Sequence, residues 1–423
     1  MRLPPVIVAR IWSFNGVFAV FGLLCLPLLF SDRTSNYDFD ESNYHLPAIR
    51  QIRAHWPRLD LTADSLSATA PGYHYALATV SLLTTANRLP LRLVNFAVSL
   101  GVLGLLWRAK PSRLAPRLAV LAITPLAASN FFIKSASFVV TDNAALLATT
   151  GALTALLLAP LAPRFVLASA LTTIGVFIRQ TGIWLVAPLA ARIFITPGTG
   201  RRLLLVLPPL GVLLCLLHSW GGLAPPPWQT ATTGLVPAGG AYLLAVYALL
   251  GSVYYAAACS LDWKQDLRQR WTFVGGLGGL SVALAGANTF SHQEGRWGGY
   301  LWEVAARLPS FGPYSPVFLL LTTLGGALLA MMVRRLSLEA GRAAALTWAT
   351  AFGAWAGTGL ANRLVFHRYY EPVMLVMLIC WLLLLQRSRP GDTKMATWPL
   401  VLLGGVQTLI TLITAYGRTF GFI

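Results

Sequence analysis

The segment that follows the first long apolar run holds the densest group of side chains able to do chemistry. Three acidic residues and a histidine lie within eight positions there, namely Asp38, Asp40, Glu41 and His45. A carboxylate that is partly shielded from water can act as a general base on a hydroxyl group. Asp40 and Glu41 are therefore the candidate catalytic residues, and His45 is a candidate substrate ligand. A solvated acidic loop after an apolar helix is the alternative interpretation.

A further acidic residue, Asp142, lies in the segment FVVTDNA at 138–144, directly before a long apolar run. As the N-cap of a helix it would need no functional explanation, because an Asp side chain accepts hydrogen bonds from the first turn. The charge pattern described below places Asp142 on the same side of the membrane as Asp40. We therefore include Asp142 among the candidate substrate-binding residues.

Arg179 and Gln180 interrupt two apolar stretches, 165–178 and 182–195, each barely long enough to cross a bilayer. An arginine at the bilayer centre costs about 2.5–3.5 kcal/mol on insertion scales, whereas at the turn of a helical hairpin the cost is much smaller. The forked donors of arginine suit phosphate oxygens. We predict that Arg179 and Gln180 bind a phosphate, and snorkelling of the arginine to the interface is the alternative.

A polar cluster at 361–372 combines basic and aromatic side chains around a predicted helix end. Arg363 and Arg368 are candidate phosphate ligands, while His367 and Tyr369 could bind sugar hydroxyls. An interfacial anchor of aromatic and basic residues is an equally compatible interpretation. The sequence holds no convincing Ser/His/Asp triad, P-loop, dinucleotide fingerprint or zinc-ligand spacing, and we expect no cofactor. If arginine residues supply the positive charge that a phosphate needs, no metal is required either.

The chain that must position these residues has the composition of an integral membrane protein. Of its 423 residues, 56% are hydrophobic and 11% are charged, against about a quarter charged in soluble domains. Apolar runs of roughly 20 residues, the length that spans a bilayer, recur along it. We predict one all-α, polytopic membrane domain over 1–423, with about thirteen transmembrane helices and no soluble domain. The candidate segments are 8–30, 91–107, 118–134, 143–160, 165–178, 182–195, 203–220, 240–260, 271–290, 313–333, 343–361, 371–386 and 397–415.

The net charge of +18 does not indicate a nucleic-acid partner. The Lys and Arg residues lie between apolar runs, where they mark cytoplasmic loops. We predict that the segment 72–87 is a helix that does not span, because its apolar part is short and is interrupted by His74 and several hydroxyl groups. With that choice, the basic loop 108–117 faces the cytoplasm. The N-terminus is then inside, and a first outer loop extends over 31–90. Ten of the 14 acidic residues then fall on the outer side, which favours a working surface there: Asp32, Asp38, Asp40, Glu41, Asp60, Asp64, Asp142, Glu294, Glu303 and Glu371.

Within the first outer loop, the stretch HLPAIRQIRAHW at 45–56 predicts a short helix lying in the membrane interface. Four large apolar residues recur at helical spacing on one side, namely Leu46, Ile49, Ile52 and Trp56. The basic residues fall elsewhere around the helix, as in amphipathic interfacial helices.

Several of these motifs resemble those of the dolichyl-phosphate-glucose-dependent α-1,2-glucosyltransferases, which add the last glucose to the lipid-linked oligosaccharide. The matching elements are Asp40-Glu41, Tyr44-His45-Leu46-Pro47, Trp56, Thr69-Ala70-Pro71-Gly72-Tyr73, Arg179-Gln180-Thr181 and, more loosely, Asn362-Arg363 with His367 and Tyr369. The spacing between Glu41 and Tyr44 is one residue longer than in that family, so both Asp40 and Glu41 stay candidates for the base. The family's outer Gly-Asp-Lys loop has no counterpart in 221–230. The resemblance indicates a divergent relative.

The wider layout is similar to that of the C-type (GT-C) polytopic membrane glycosyltransferases. This resemblance implies a polyprenyl- or dolichyl-phosphate-linked sugar donor, possibly carrying glucose, and a lipid-linked or glycan acceptor. It also implies an inverting single displacement at the outer or lumenal face, with Tyr73 among the substrate-binding residues. The membrane would be a bacterial plasma membrane, or the endoplasmic reticulum in a eukaryote.

The competing hypothesis is a lipid or solute transporter, or a flippase, without transferase chemistry. Transporters usually place ionisable groups near the bilayer midplane. Here the charges collect at the ends of the predicted helices, which favours the enzyme.

Overall fold

A computed structural model describes residues 5–31, 36–64, 66–159, 164–198, 200–259, 263–286, 299–363, 365–389 and 395–417. These residues are almost entirely helical and include no strand, only isolated bridges such as that between Thr233 and Asn362. The α-helices of the described residues are, in chain order, α1 (Pro5–Leu29), α2 (Asn36–Asp40), α3 (Leu46–His55), α4 (Gly72–Leu83), α5 (Arg88–Ala109), α6 (Pro116–Ala127), α7 (Asn130–Ser137), α8 (Asp142–Leu157), α9 (Arg164–Ile178), α10 (Val186–Ile195), α11 (Leu207–Trp220), α12 (Gln229–Thr232), α13 (Pro237–Cys259), α14 (Trp263–Leu267), α15 (Arg270–Gly286), α16 (Tyr300–Ala306), α17 (Pro316–Glu339), α18 (Arg342–Leu360), α19 (His367–Ser388) and α20 (Trp398–Thr411).

Short stretches of tighter or wider helix complete the backbone. The segments Gln180–Leu185, Gly200–Val206 and Pro226–Trp228 are 3₁₀-helical, whereas Glu41–His45 and Leu412–Gly417 are π-helical. The first π-helix joins α2 to α3 without a break, so the acidic motif lies in one continuous helical segment.

The predicted polytopic, all-helical membrane fold is confirmed. Each of the thirteen predicted segments lies mostly on one or two helices, although residues 160, 260 and 287–290, which end three of the segments, lie outside the described residues. Among the described residues, six helices are long and apolar enough to cross a membrane by themselves, or seven if one bent pair counts as a span. Several of the remaining segments are too short to span alone.

The bent pair corresponds to the predicted segment 118–134. Helices α6 and α7 meet at an angle of 71°. Pro125 lies in the last turn of α6, and Ser129 adopts an extended conformation and caps α7 by accepting a hydrogen bond from the Phe132 backbone N–H. A serine N-cap starts a new helix, so the chain changes direction where hydropathy alone predicts a single span.

The chain forms two compact units, each discontinuous in sequence. Unit 1 comprises Met1–Ile183, Leu204–Gln229 and Leu400–Ile423, and unit 2 comprises Trp184–Leu203 and Thr230–Pro399. The single domain expected from the sequence stays a prediction.

In unit 1, helix α3 buries nearly the face that the sequence predicts. Leu46, Ile49 and Ile52 are buried in a core that α4 shares. Trp56 departs from the prediction, because α3 ends at His55 and Trp56 lies beyond it, extended and 42% exposed. The residue before a proline is disfavoured in the helical conformation, and Pro57 follows Trp56 directly.

In unit 2, α13, α15 and α17 approach one another closely through glycines. A Cβ atom on Gly325 would collide with the backbone of Leu244 in α13, and one on Gly326 would collide with the backbone of Gly275 in α15. Small residues at helix interfaces allow such close packing in membranes, where the hydrophobic effect contributes little between helices. These glycines therefore set the spacing of the three helices.

Candidate functional site

A buried ion pair fixes the acidic motif of unit 1. Glu41 is 0% exposed, and its carboxylate accepts hydrogen bonds from Arg92 Nε at 2.9 Å and Arg92 Nη2 at 2.5 Å. Its Oε1 also accepts one from the Val139 backbone N–H at 3.1 Å. The third arginine nitrogen, Nη1, donates to the carbonyls of Leu29 and Ser31 at 3.0 and 2.8 Å. Glu41 is thus surrounded by protein donors and is shielded from solvent.

Arg92 is a site residue that the sequence analysis missed. It lies in the second turn of α5, four residues after Arg88, and it is fully buried. A charged residue inside an apolar segment is expensive and needs a partner, and this principle could have identified Arg92 from the sequence.

The other two carboxylates of the motif differ in exposure. Asp38 is buried, with Arg88 Nη1 at 3.5 Å and Arg92 Nη2 at 3.9 Å from its Oδ1. Asp40, the last residue of α2, is only half-buried. Because Asp38 and Glu41 turn inward to the arginines, Asp40 is the carboxylate of this motif with the greatest access to a ligand from solvent.

Asp142 and Arg179 form an ion pair at one end of the α8–α9 helix pair. Asp142 is the first residue of α8, and Arg179 directly follows the last residue of α9. Arg179 Nη1 lies 2.5 Å from Asp142 Oδ1, with the two side chains 21% and 13% exposed. The predicted N-cap role of Asp142 is wrong, because Thr141 holds the N-cap position and no side-chain cap bond forms there. The carboxylate faces a guanidinium instead.

Gln180 holds two loops of unit 1 in place. Its Oε1 accepts a hydrogen bond from the Ala70 N–H at 3.1 Å, and its Nε2 donates to the carbonyls of Ala68 and Leu223 at 3.0 and 3.2 Å. Both amide hydrogens and the amide oxygen are therefore used by backbone groups. Gln180 links the segment before α4 and the segment after α11 to the chain position next to Arg179.

His45 is buried against His74 of α4. His45 Nδ1 and His74 Nε2 share a hydrogen bond of 2.7 Å, and the rings stack with centroids 5.0 Å apart. Complete burial lowers the pKa of His74 to about 4, because the charged imidazolium is disfavoured away from water. His74 is therefore neutral near pH 7, and the histidine pair joins the acidic motif to α4.

Tyr73 is also buried, and its hydroxyl donates to Asn95 Oδ1 at 2.5 Å. The Asn95 amide donates in turn to backbone carbonyls of the segment that precedes α8, among them Ser135 at 2.7 Å and Val140 at 3.2 Å. Tyr73 and Asn95 thus connect α4, α5 and the approach to Asp142.

Aromatic rings lie beside the acidic motif. Tyr44 of the π-helix makes edge-to-face contacts with Phe39 of α2, at a centroid distance of 5.7 Å, and with Trp228, at 5.0 Å. Trp228 belongs to the Gly- and Pro-rich segment 221–239. With these contacts, four segments of unit 1 meet in a closed ring: 36–45, 139–142, 179–180 and 223–228.

Seven of the predicted site residues belong to this region of unit 1. They are Asp40, Glu41, His45, Tyr73, Asp142, Arg179 and Gln180. The other four, Arg363, His367, Arg368 and Tyr369, belong to unit 2.

In unit 2, Arg363 is exposed and joins two loops. Its Nη1 donates to the Thr230 carbonyl at 2.9 Å, and its backbone N–H donates to the Thr232 carbonyl at 3.0 Å. Arg368 lies over the ring of Tyr369, with the guanidinium carbon 4.9 Å from the ring centroid, and its Nη2 donates to the Tyr369 hydroxyl at 2.9 Å.

His367 forms the centre of a buried triad. Its Nδ1 lies 2.6 Å from the Tyr242 hydroxyl and its Nε2 lies 2.7 Å from Glu371 Oε2. Both ring nitrogens are thus engaged by protein groups at the start of α19. Gly299 packs against this triad, since a Cβ there would approach both His367 and the Tyr242 hydroxyl at 2.5 Å.

Among the described residues, no three His, Cys, Asp or Glu side chains converge in a group that could hold a metal ion. The expectation from the sequence that no metal is required stays a prediction.

Comparison with known proteins finds similarity at the level of solved structures. The chain matches no family model and no curated protein. It is similar to two structures of ArnT from Cupriavidus metallidurans, one in the apo state and one bound to undecaprenyl phosphate. The identities are 16% and 15%, the TM-scores are 0.39 and 0.41, and both alignments cover 89% of this chain and 78% of the ArnT chain.

Proposed function

We propose that this chain is a GT-C-type membrane glycosyltransferase, which transfers a sugar from a polyprenyl- or dolichyl-phosphate donor to an acceptor hydroxyl at the outer or lumenal face. One observation carries the proposal. A half-buried carboxylate, Asp40, and an arginine suited to phosphate, Arg179, belong to the same ring of contacts in unit 1. The segment 139–142 links them, because Val139 donates to Glu41 beside Asp40 and Asp142 contacts Arg179.

Asp40 is our candidate for the general base, in preference to Glu41. A base must reach the proton that it removes, and Glu41 is enclosed by Arg92 and Val139. The acceptor oxygen would attack the anomeric carbon while its proton passes to an Asp40 carboxylate oxygen. The bond between the anomeric carbon and the phosphate oxygen breaks, and its electron pair leaves with the lipid phosphate, which inverts the configuration.

Arg179 is our candidate for stabilising the leaving phosphate. Negative charge develops on the departing oxygen, and a positioned cation lowers the energy of that state. A guanidinium has five N–H donors, so contact with Asp142 through Nη1 is compatible with phosphate binding. Asp142 would then orient Arg179 and balance its charge between turnovers.

We assign Gln180 to positioning, because its amide binds backbone groups at 68–70 and at Leu223 and so fixes the residue that follows Arg179. In unit 2, Arg363 and Arg368 stay second candidates for phosphate binding. Because both ring nitrogens of His367 are engaged by protein groups, we assign His367 to positioning. Tyr369, beside Arg368, stays a candidate for contact with the substrate.

A transporter or flippase for lipid phosphates is the competing function. The charged candidates of unit 1, Asp40, Asp142 and Arg179, lie at helix ends, whereas transporters usually place such groups near the bilayer midplane. The distinguishing result is a new glycosidic product, because a transporter moves its ligand unchanged.

The test is a transfer assay with purified protein in nanodiscs. Radiolabelled polyprenyl-phosphate hexoses are supplied with a lipid and glycan extract as the acceptor source, and both labelled product and released polyprenyl phosphate are measured. Asp40→Asn should lower kcat by about 10²–10⁴-fold. The matched control is Asp60→Asn, an exposed carboxylate of the same loop, which should keep its activity. Turnover by Asp40→Asn at the wild-type rate would remove Asp40 from the mechanism.

Arg179 variants test the phosphate role in the same assay. Arg179→Lys keeps the charge but loses the forked geometry, so it should retain part of the activity. Arg179→Gln should lose both kcat and donor affinity, because the charge acts on the departing phosphate. A normal kcat in well-folded Arg179→Gln would show that this arginine is only an interfacial anchor.

A further inference from the structure

An aromatic cluster, formed by Phe39, Tyr44 and Trp228, lies beside the candidate base. Phe39 immediately precedes Asp40 in α2, and 56% of its surface is exposed. Tyr44 lies on the π-helix and is half-buried, and Trp228 packs edge-to-face against it with an interplanar angle of 90°. The cluster therefore presents ring surface to solvent within one residue of a catalytic candidate.

The position of Trp228 is set by a network of hydrogen bonds. Gln229, its neighbour, donates from Nε2 to the carbonyls of Trp220 and Ala224 at 2.8 and 3.1 Å. The Trp220 indole donates to the Leu61 carbonyl at 2.8 Å. Three consecutive prolines precede Trp228, and proline fixes the φ angle of each. A half-buried aromatic residue held in this way has already lost part of the freedom that ligand binding would otherwise remove.

The chemistry of the neighbouring residues decides between a hydrocarbon and a sugar as the occupant. Asp40 follows Phe39 directly in α2, and Asn43, an exposed amide, lies one helical turn further on and donates from Nδ2 to the Phe39 carbonyl at 2.8 Å. A lipid chain offers no hydrogen bonds to these groups, and polar groups covered without partners are costly. A pyranose carries C–H groups on its ring face and hydroxyls on its edge, so it can meet an aromatic face, which is electron-rich, and a carboxylate together.

We propose that Phe39, Tyr44 and Trp228 form the subsite for the pyranose ring of a sugar substrate. This inference rests on the proposed function and names the part of the substrate that the aromatic cluster recognises. The lipid phosphate is bound elsewhere, at Arg179. The same ring chemistry is present in the sugar of the donor and in a glycan acceptor, and the ligands used in the test separate the two sources.

The test measures equilibrium binding of the full chain in nanodiscs to three probes. These are a polyprenyl phosphate, the same lipid phosphate bearing a glucose, and maltotriose as a lipid-free glucose oligomer. Trp228→Leu and Phe39→Leu are compared with wild type. The matched control is Phe30→Leu, which removes another exposed aromatic residue of unit 1 that lies outside the cluster.

Trp228→Leu and Phe39→Leu should weaken binding of a sugar-bearing probe by about 3–10-fold, the range of an aromatic contact, and leave polyprenyl phosphate binding unchanged. If the variants bind the glucose-bearing lipid more weakly, the subsite holds the sugar of the donor. If only maltotriose binding is weakened, the subsite holds the sugar of the acceptor. Phe30→Leu should change nothing. Unchanged binding of the lipid phosphate also shows that the variants are folded.

Two results would overturn the subsite. One is an equal loss for the bare and the glucose-bearing lipid, which would make the cluster a lipid contact. The other is wild-type binding of all three probes by both cluster variants. The proposed function fails separately, if the wild-type protein binds neither lipid phosphate. In that case, weaker maltotriose binding by Trp228→Leu would still support a sugar subsite. Unchanged maltotriose binding by that variant would rule the subsite out.

Discussion

Replacing Glu41 and replacing Asp40 should have opposite consequences, although the two residues are neighbours. Glu41 is fully buried and accepts three hydrogen bonds from Arg92 and Val139. In Glu41→Gln, the side-chain amide keeps its size but loses its charge, and an N–H group faces the guanidinium of Arg92. The positive charge of Arg92 then stays buried, with the more distant Asp38 carboxylate, 3.9 Å from Nη2, as its remaining counter-charge.

The expected cost follows from that burial. Removing one partner of a buried ion pair destabilises a protein by about 3–5 kcal/mol. Unit 1 falls in the size range in which each kcal/mol shifts the melting temperature by about 2–4 °C, so Glu41→Gln should melt about 6–20 °C below wild type. Asp40→Asn alters a side chain that is only half-buried, and its melting temperature should fall by less than that of Glu41→Gln. Its activity should be the property that is lost.

The assay combines a thermal-shift measurement in detergent with the transfer reaction described above. A double-mutant cycle adds Arg92→Met and the double variant Glu41→Gln/Arg92→Met. The double variant has neither the Glu41 nor the Arg92 charge, so no charge of this pair is left buried without its partner. It should therefore be destabilised by less than the sum of the two single changes. The assignment of the roles would be refuted if Glu41→Gln melted like wild type and lost its activity while Asp40→Asn stayed active.

Three further measurements test the packing, the topology and the histidine pair. Gly326→Ala should destabilise the protein by about 1–3 kcal/mol, because the added Cβ meets α15 backbone, whereas Gly278→Ala, where a Cβ meets nothing within 4 Å, should be neutral or stabilising in thermal unfolding. A cysteine introduced at Thr85 should react with an impermeant thiol reagent applied outside, and one at Ser112 of the basic loop should not. The side chains at both positions are exposed. The opposite labelling pattern would show that the predicted topology is inverted. Lowering the pH from about 6.5 to about 4 should lower the melting temperature, since unfolded His74 takes up a proton at about pH 6.5 and folded His74 only near pH 4. The melting temperature of His74→Gln should fall less over the same pH range. An equal fall in His74→Gln and wild type would assign the effect to other groups.

The local parts of the structure could be read from the sequence because they depend on neighbouring residues. Hydropathy sums over about 20 positions, and the described residues of each of the thirteen predicted segments are mostly helical. The spacing of Leu46, Ile49 and Ile52 predicted the buried face of α3. The same reasoning failed at Trp56, where the following proline ends the helix, and at Ser129, where a helix cap bends a predicted span.

The sequence by itself determined that this is a helical membrane protein with its chemistry-bearing residues near helix ends. Only the tertiary structure decided which of those residues turn inward. Successive side chains on a helix point about 100° apart, so of Asp40 and Glu41 one can face the core while the other does not. The choice depends on Arg92, which lies 51 positions along the chain from Glu41, and on the backbone at Val139. Such pairings arise from the packing of distant segments, and no local pattern of hydropathy or charge encodes them.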